Sequence, residues 1–287
     1  MDTLNIYSPV NGPNFGDAVN VRFWKEMANK SVRFTKEGPH YITTGSILCR
    51  AKSNSIIFGT GFISVKGDLG GEQFSEYKSH NKKYVIPKEV IAVRGPLSRQ
   101  KMLQFGVECP ANYGDPLILM PCIYDKRNTV SDRTVGIIPH YVDQNSPHFK
   151  LLINNLKTKG YKVKLIDIRV GHNYEKLIDE INKCEYIISS SLQGVMMGIV
   201  YNKKTIFIEF SNNVIGRGFK FQDFFLSINT TYKNKNIYNH EVLKNIIKVD
   251  YQYLLGIGLK LISLIPFIDA ARKKVLSNKY EKFYDFQ

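Results

Sequence analysis

Short apolar runs alternate along the chain with longer segments of mixed polarity. In the first half, residues 4–8, 56–59 and 90–93 are brief runs rich in β-branched side chains, which is the pattern of buried strands. Residues 18–29 and 97–105 instead place their apolar side chains at helical spacing. The first half is therefore predicted to alternate strands with helices.

The second half repeats this alternation more regularly. Its predicted strands are residues 135–139, 162–166, 186–188 and 205–209, and its predicted helices are residues 149–158, 174–183 and 195–200. Strands that alternate with helices of this length form parallel sheets through right-handed crossovers. We therefore predict an α/β protein built from two doubly wound domains that face one another.

A polar stretch without a hydrophobic period, residues 124–133, separates the two alternating regions. We predict that this stretch is a linker. The N-terminal domain then covers residues 1–123, and the C-terminal domain covers residues 134–287 and ends in helices. Residues 66–83 are polar and glycine-rich, which predicts an exposed loop within the first domain.

The C-terminal region, residues 241–277, has helical character with a break near Pro266. Its strongly apolar part, residues 253–268, is interrupted by Lys260 and Pro266, and it is shorter than the roughly 20 residues that a membrane span needs. Two interpretations stay open. The stripe either packs as a terminal helix across both domains, or it lies in a membrane interface, helped by the basic residues that follow.

Charge narrows the class of partner. The 287 residues include 40 Lys plus Arg against 25 Asp plus Glu, a net charge of +15, which favours anionic partners such as phosphorylated small molecules or an anionic membrane face. The excess is spread along the chain without a basic arm or a nucleic-acid module, so we predict no nucleic-acid partner.

The cysteines and the N-terminal segment indicate the compartment. The four cysteines are far apart and include no C-x-x-C pair, which favours neither a zinc site nor a disulfide framework, and we predict no metal. The N-terminal segment lacks a basic region and soon reaches proline and glycine, which is not the pattern of a signal peptide. We expect a reduced, cytoplasmic location.

Arg94 follows the strand at 90–93 and precedes the helix that starts near Leu97. The free N–H groups and the dipole at the start of a helix favour negative charge, and a guanidinium group adds a bidentate fork. This arrangement predicts an anion site. The alternative, an arginine that caps a surface turn, is left open by the spacing alone.

Two glycine-containing loops also follow predicted strands. The loop at 9–17 matches neither the dinucleotide fingerprint G-x-G-x-x-G nor the Walker pattern, which gives little support to a nicotinamide or NTP-hydrolysing function. Gly59 ends the strand predicted at 56–59 and Gly61 lies just beyond it, and closely spaced glycines at the end of a strand let a ligand or another backbone approach. A simple tight turn explains this second loop equally well.

Five segments, taken in order, resemble the motifs of the polysaccharide pyruvyl transferase family, in particular the branch that modifies bacterial surface polysaccharides. They are N-F-G-D at 14–17, V-R-G-P-L-S at 93–98, G-D-P at 114–116, S-S-S-L-Q-G at 189–194 and G-F-K-F-Q-D at 218–223. The resemblance implies two facing Rossmann-like domains similar to those of GT-B glycosyltransferases. It also implies transfer of a pyruvyl group from phosphoenolpyruvate to two hydroxyls of a sugar, with release of phosphate and with no cofactor beyond that co-substrate.

The resemblance also implies the partners of the protein. The expected partners are phosphoenolpyruvate and a sugar or lipid-linked oligosaccharide acceptor. A lipid-linked acceptor would suit the basic surface and the apolar C-terminal stripe, so we expect peripheral contact with the inner face of the cell membrane.

Site residues follow from the same resemblance. Arg94 matches the donor-binding arginine of the family, and the turn at 189–194 follows a strand and precedes an apolar helix, which suits a phosphate. The residues expected to bind the donor are Arg94, Ser190, Ser191, Leu192, Gln193 and Gly194. The residues expected to bind the acceptor lie in the first domain and are Asn14, Gly16 and Gly61.

Gln193 departs from the family, whose members carry histidine in the corresponding Leu-His-Gly turn. An amide forms hydrogen bonds but cannot donate a proton at neutral pH. His140 follows a strand of the second domain and is the candidate substitute as general acid, because histidine titrates in the useful range. The alternative is a histidine that only satisfies a loop.

Asp17 is the candidate base that takes the proton of the acceptor hydroxyl. The alternative is an N-cap for the helix that is predicted to start at Ala18. Asp115 is expected to be a structural turn residue, and Glu209 either touches the ligand or closes the sheet.

Two other functions compete with pyruvyl transfer. A glycosyltransferase that uses a sugar nucleotide would have the same two-domain architecture, and fold alone does not give function. A non-catalytic member of the polysaccharide assembly machinery would explain Gln193 as lost chemistry. Release of phosphate from phosphoenolpyruvate, as against a nucleoside diphosphate from a sugar nucleotide, separates these possibilities.

Overall fold

The first half of the protein forms a five-stranded parallel sheet. The computed structural model describes residues 3–7, 15–35, 37–65, 85–126, 132–232 and 236–285. The strands are β1 (Leu4–Tyr7), β2 (Val32–Phe34), β3 (His40–Ile42), β4 (Ser55–Phe58) and β5 (Glu89–Ala92), in the order β2-β1-β3-β4-β5. Each neighbouring pair runs parallel. The helices are α1 (Phe15–Ala28) and α2 (Pro96–Gln104), with short 3₁₀ helices at Leu48–Arg50 and Pro116–Cys122.

The second half forms a four-stranded sheet that is also parallel throughout. Its strands are β6 (Thr134–Ile138), β7 (Lys162–Leu165), β8 (Tyr186–Ser189) and β9 (Lys204–Phe207), in the order β7-β6-β8-β9. Its helices are α3 (Pro147–Thr158), α4 (Tyr174–Asn182), α5 (Leu192–Val200) and α6 (Phe219–Ser227), with 3₁₀ helices at Tyr141–Asp143 and His240–Lys244.

The predicted α/β class and its parallel sheets are confirmed. Apart from the short 3₁₀ helices, the described elements that were not predicted are the strands β2 and β3 and the helix α6. The two strands have three residues each, which is too short for a period-2 pattern to be recognised. Helix α6 is crowded with phenylalanine, so its sequence shows little of the polar and apolar alternation that marks an amphipathic helix.

The largest apolar core lies between the two halves and draws side chains from both. It joins Ile6 of β1 and Trp24 of α1 to Ile138 of β6, and it includes Leu117 and Phe224, all of which are fully buried. Smaller clusters lie elsewhere in the first half, around Ile42 and Met102, and in the second half, around Leu152 and Ile206. The domain boundaries at 123 and 134 stay predictions. Part of the predicted linker, residues 127–131, lies outside the described residues. The whole of the predicted loop at 66–83 also lies outside them.

Two C-terminal helices, α7 (Tyr251–Leu264) and α8 (Ala270–Tyr284), pack across both halves. Helix α7 buries Leu254, Leu261 and Ile262. In α8, Arg272 donates from Nε to the Met27 carbonyl of α1 at 2.9 Å, and the Tyr284 hydroxyl donates to the Val200 carbonyl of α5 at 3.3 Å. These contacts agree with the interpretation in which the apolar stripe packs as a terminal helix across both domains. None of the helices within the described ranges has the length and apolar character needed to cross a bilayer.

Candidate functional site

The two halves meet where helix α1 and helix α5 begin. The contact is close, because a Cβ atom placed on Gly16 would lie 2.3 Å from Nε2 of Gln193. Beside it, the Phe15 amide donates to the Ile168 carbonyl at 3.2 Å. Helix α5 follows the carboxyl end of β8, and ligands of parallel α/β sheets bind at the carboxyl ends of strands. This junction is the candidate functional site.

The start of α1 is fixed by a buried polar network. The Gly16 carbonyl accepts from Nδ2 of Asn20 at 2.9 Å and from Oγ1 of Thr44 at 3.3 Å. Oδ1 of Asn20 in turn accepts from the hydroxyls of Thr43 and Thr44 at 2.9 and 2.7 Å. The network attaches the first turn of α1 to the residues that follow β3, so Gly16 is held in place against Gln193.

Asn14 and Asp17 are two of the site residues predicted in the loop at 9–17. Asn14 lies outside the described residues, and so does the side chain of Asp17. The backbone of Asp17 belongs to helix α1, which starts at Phe15. Asp17 is therefore in the first turn of the helix, and the alternative role as N-cap of a helix starting at Ala18 is wrong. The role of Asp17 as a base stays a prediction.

The last residue of β8, Ser189, and the two serines that follow it form hydrogen bonds with one another and with their neighbours, and each is at most 1% exposed. Oγ of Ser189 donates to the Ile138 carbonyl at 2.7 Å and accepts from the Ser191 amide at 3.0 Å. Oγ of Ser191 donates to Oε1 of Gln193 at 3.2 Å. Gln193 is half-buried, so it is the member of this turn whose side chain has solvent access.

Leu192 and Gly194 have packing contacts that explain their types. Leu192 is 1% exposed and belongs to the large core. A Cβ atom on Gly194 would lie 2.4 Å from Oγ of Ser189, so only glycine lets α5 start this close to the turn. The first amides of a helix have no intrahelical acceptor, which leaves the backbone of this turn as its most suitable anion-binding feature. Donor binding by the turn stays a prediction.

His140 lies just after β6, next to the serine turn. Its backbone amide donates to Oγ of Ser190 at 2.8 Å, and its Nδ1 accepts from the Val142 amide at 3.4 Å. A neutral imidazole that accepts at Nδ1 carries its proton on Nε2. Burial and, to a smaller extent, the positive charge of Lys220 lower the pKa of His140 to about 4. The free protein therefore holds His140 as a neutral hydrogen-bond donor at neutral pH.

The start of helix α2 is the anion site that the sequence predicts around Arg94, and a carboxylate of the protein fills it. Nε of Arg94 lies 3.0 Å from Oδ2 of Asp223 in helix α6, and both side chains are fully buried. Asp223 also accepts from the amide of Ser98 at 2.9 Å and from its hydroxyl at 2.6 Å. Gly95, the N-cap of α2, provides no side-chain cap, so Asp223 caps this helix from the other half of the protein.

The remaining contacts of Arg94 are also internal. Nη1 donates to Oγ of Ser46 at 2.6 Å, and Nη2 donates to the Phe62 carbonyl. Gly61 makes room for the guanidinium, because a Cβ atom there would lie 2.6 Å from Cζ of Arg94. The alternative of an arginine on a surface turn is therefore wrong. Donor binding by Arg94 and acceptor binding by Gly61 stay predictions, and a donor at the guanidinium would compete with Asp223.

Asp115 lies beside this ion pair and is 1% exposed. Its Oδ1 accepts from the Leu117 amide at 3.1 Å and caps the 3₁₀ helix Pro116–Cys122, as a structural turn residue would. Burial, offset in part by that hydrogen bond and by the charge of Arg94, raises the pKa of Asp115 to about 6.

Sequence reasoning missed three residues of this region, namely Asp143, Lys220 and Asp223. Asp143 accepts hydrogen bonds from Ser190 and Ser211. The motif G-F-K-F-Q-D contains Lys220 and Asp223, but the charge of Lys220 acts on His140 and Asp223 pairs with Arg94, and both partners are far away in sequence. Among the described side chains, no group of three or more His, Cys, Asp or Glu residues is arranged to hold a metal ion.

Comparison with known proteins identifies the family. Residues 31–212, more than half of the chain, match the family described as polysaccharide pyruvyl transferase. The chain belongs to this transferase family, and the resemblance drawn from its motifs is confirmed. The matched residues include Arg94, His140 and the turn at 189–194, whereas Gly16 and Asp223 lie outside them.

A relative with a similar sequence is an uncharacterized protein of Acanthamoeba polyphaga mimivirus. It is 29% identical over 202 residues, which are 67% of this chain and 63% of that protein. The chain thus covers less than two thirds of that relative's length. No solved structure matches the chain.

Proposed function

We propose that the protein transfers a pyruvyl group from phosphoenolpyruvate to two hydroxyls of a sugar. The acceptor is a bacterial surface polysaccharide or its lipid-linked repeat unit, and the product is a cyclic ketal. The observation that carries this proposal is the family match over residues 31–212. The arrangement of two Rossmann-like domains around a cleft, as in GT-B transferases, is part of the same proposal.

The reaction defines what the site has to provide. A general acid protonates C3 of phosphoenolpyruvate and creates an electrophilic centre at C2. One sugar hydroxyl adds to C2 and loses its proton to a base, phosphate leaves, and the second hydroxyl closes the ketal. One hydroxyl proton in effect replaces the proton given to C3 and the other leaves with phosphate, so the atoms balance. The site therefore needs a proton donor, a base and groups that hold an anion.

We place the donor at the carboxyl ends of β6 and β8, between His140 and Gln193. The amide of Gln193 and the backbone amides at the start of α5 supply hydrogen-bond donors, with Ser190, Ser191, Leu192 and Gly194 forming the turn. The charge of Lys220, which already acts on His140, attracts an anionic donor.

His140 is the proposed general acid. Its low pKa in the free protein comes from burial and from Lys220, and the negative charge of a bound donor opposes both causes. Binding of phosphoenolpyruvate thus raises the pKa of His140 toward the working pH, where an imidazolium can protonate C3. Acid catalysis by His140 would compensate for Gln193, whose amide cannot donate a proton as the family's histidine could.

The acceptor is proposed to approach from the first half, past Gly16 and near Gly61 and Asn14, with Asp17 as the base. Arg94 contributes to donor binding if the donor's carboxylate or phosphate exchanges with Asp223 at the guanidinium.

A cytoplasmic protein that contacts the inner membrane surface would reach a lipid-linked acceptor. Sedimentation with vesicles containing anionic lipid tests this contact, and protein that stays entirely in the supernatant at low salt would rule it out.

A thermal unfolding titration tests donor binding. A ligand at 100 times its dissociation constant stabilises the native state by about 2.7 kcal/mol, which gives a clear rise in midpoint. Phosphoenolpyruvate is expected to raise the midpoint, and UDP-glucose is not. Lys220→Gln should weaken the response to phosphoenolpyruvate, while Lys176→Gln, on the exposed side of α4, should leave it unchanged. A response to UDP-glucose alone would favour a glycosyltransferase, and no response to either would favour a non-catalytic protein.

A further inference from the structure

Asp143 joins the ends of three strands of the second sheet. It closes the 3₁₀ helix that follows β6, and its carboxylate is fully buried. Oδ2 accepts from Oγ of Ser190, which follows β8, at 2.6 Å. Oδ1 accepts from Oγ of Ser211, which follows β9. One carboxylate therefore connects the segments that leave β6, β8 and β9 at the edge where the candidate site lies.

Asp143 is connected to His140 by two routes, one through its backbone amide and one through its carboxylate. The Asp143 amide donates to the His140 carbonyl at 2.8 Å, which closes the turn between the two residues. Oγ of Ser190 donates to Asp143 and accepts from the His140 amide at 2.8 Å. His140 thus has both of its backbone hydrogen-bonding groups fixed by Asp143, one directly and one through Ser190.

These contacts also set the direction of the Ser190 hydroxyl. A hydroxyl has one proton to donate, and here that proton points to a charged acceptor, which gives a stronger hydrogen bond than a neutral acceptor does. Ser190 therefore presents a lone pair, not a proton, to the His140 amide. Without the carboxylate, the Ser190 hydroxyl could rotate, and the loop that carries the imidazole would lose its fixed position.

We propose that Asp143 is a positioning residue for the reaction, and that it holds the His140 ring in place through Ser190. This inference rests on the proposed function insofar as it concerns catalysis. Asp143 is buried behind the turn and acts through its hydrogen-bond partners. Its loss should lower the turnover number while the protein still folds and still binds the donor.

The chain offers a matched control. Ser211→Ala removes a hydrogen bond to the same carboxylate, but it leaves the path from Asp143 through Ser190 to His140 intact. Ser190→Ala cuts that path and keeps the carboxylate. Asp143→Asn keeps the size of the side chain and replaces one acceptor oxygen with a donor. A purely structural role predicts similar effects from all three substitutions, whereas the positioning role predicts that Ser211→Ala differs from the other two.

The first measurement needs no turnover. The ring resonances of His140 are followed by ¹H–¹³C NMR at fixed pH in folded wild type and in the three variants, with circular dichroism as the check on folding. Asp143→Asn and Ser190→Ala are expected to shift or broaden the His140 signal, and Ser211→Ala to leave it near its wild-type position. An unmoved His140 signal in folded Asp143→Asn and Ser190→Ala would overturn the proposal.

The second measurement uses phosphoenolpyruvate turnover. Misplacement of a catalytic group by about 1 Å can cost on the order of 100-fold in rate, so we expect kcat to fall roughly 10- to 100-fold in Asp143→Asn and Ser190→Ala. The KM for phosphoenolpyruvate should change less than about threefold in Asp143→Asn, because Asp143 is not part of the proposed donor site, and Ser211→Ala should keep kcat within that factor. A rise in KM with unchanged kcat would contradict positioning. Absence of turnover in wild type would count against the proposed function and leave the NMR result to decide the role of Asp143.

Discussion

Arg94 and Asp223 form a fully buried ion pair that ties the two halves of the protein together, with Nε and Oδ2 3.0 Å apart. Arg94 lies between β5 and α2, Asp223 lies in α6, and Asp223 also caps helix α2 through Ser98. The pair therefore links the start of helix α2 to helix α6. Gly95 adds to this, because a Cβ atom there would lie 2.0 Å from the Asp223 carbonyl oxygen.

The first prediction concerns the stability of this pair. Removing one partner leaves a buried charge without compensation, so Arg94→Ala and Asp223→Ala should each lower the free energy of unfolding by about 3–5 kcal/mol. Urea unfolding measures the change. The exposed pair of Asp167 and Arg169 is the control, and Arg169→Ala should lower the free energy of unfolding far less than either buried substitution does, because solvent screens an exposed pair. Equal costs at the two sites would show that the buried pair has no special role.

The second prediction concerns Gly16 and Gln193. A Cβ atom on Gly16 would meet the Gln193 amide, so Gly16→Ala should displace that side chain, and Gln193→Ala should relieve the clash. A double-mutant cycle should give a coupling energy of about 0.5–3 kcal/mol in the free energy of unfolding. Gly256→Ala, in α7, is the control, since the added methyl meets open space there and should stabilise the helix by about 0.5–1 kcal/mol. Additive effects of Gly16→Ala and Gln193→Ala would refute the contact.

The third prediction concerns the pH dependence that Asp115 causes. Burial raises the pKa of this carboxyl from 3.8 to about 6, so the folded state keeps a proton that the unfolded state releases above pH 4. The contribution of Asp115 to the free energy of unfolding is therefore fully present below about pH 4 and is lost as the pH rises to about 6. The loss is at most about 3 kcal/mol, because each pKa unit corresponds to about 1.36 kcal/mol.

Urea unfolding of wild type and Asp115→Asn across this pH range isolates the effect, because the other carboxyl groups are common to both proteins. The free energy of unfolding of wild type minus that of the variant should decrease from pH 4 to pH 6 and level off above. A constant difference across the range would contradict the raised pKa of Asp115.

The fourth prediction concerns the titration of His140. Burial and Lys220 hold its pKa near 4 in the free protein, so Lys220→Gln should raise the pKa, and saturating phosphoenolpyruvate should raise it in wild type. NMR titration of the imidazole measures both shifts, with Lys176→Gln as the matched charge change at a distance. If the pKa of His140 changes neither in Lys220→Gln nor on binding of the ligand, the electrostatic basis of its proposed role is removed.

The fifth prediction separates His140 from Gln193 as the source of acid catalysis. General acid catalysis contributes about 10²- to 10⁴-fold, so His140→Asn should lower the rate of phosphoenolpyruvate turnover by a factor in that range. Gln193→His restores the residue type of the family motif. If His140 is the acid, this substitution changes kcat less than about tenfold. A larger gain in Gln193→His, with little loss in His140→Asn, would assign the proton to position 193.

The sequence predicted much of the fold because alternating strands and helices leave a strong hydrophobic pattern. It also predicted an anion site at Arg94, since local geometry alone creates the site. The identity of the anion could not be predicted, because Asp223 lies 129 residues further along the chain. The same holds for Asp143 and Ser190, which are 47 residues apart and meet only when β6 and β8 pair. Three-residue strands such as β2 were missed because they are too short to show a period.

The most direct measurement follows the carbon and the phosphate of phosphoenolpyruvate in one reaction. The protein is incubated with phosphoenolpyruvate labelled with carbon-13 at C3 and with glycosides that offer pairs of free hydroxyls, and NMR monitors the carbon and phosphorus signals. We expect a ketal methyl signal in the sugar fraction and release of phosphate in equal amount, with both lost in His140→Asn. Phosphate release without a ketal methyl, or unchanged phosphoenolpyruvate beside consumption of a sugar nucleotide, would contradict pyruvyl transfer.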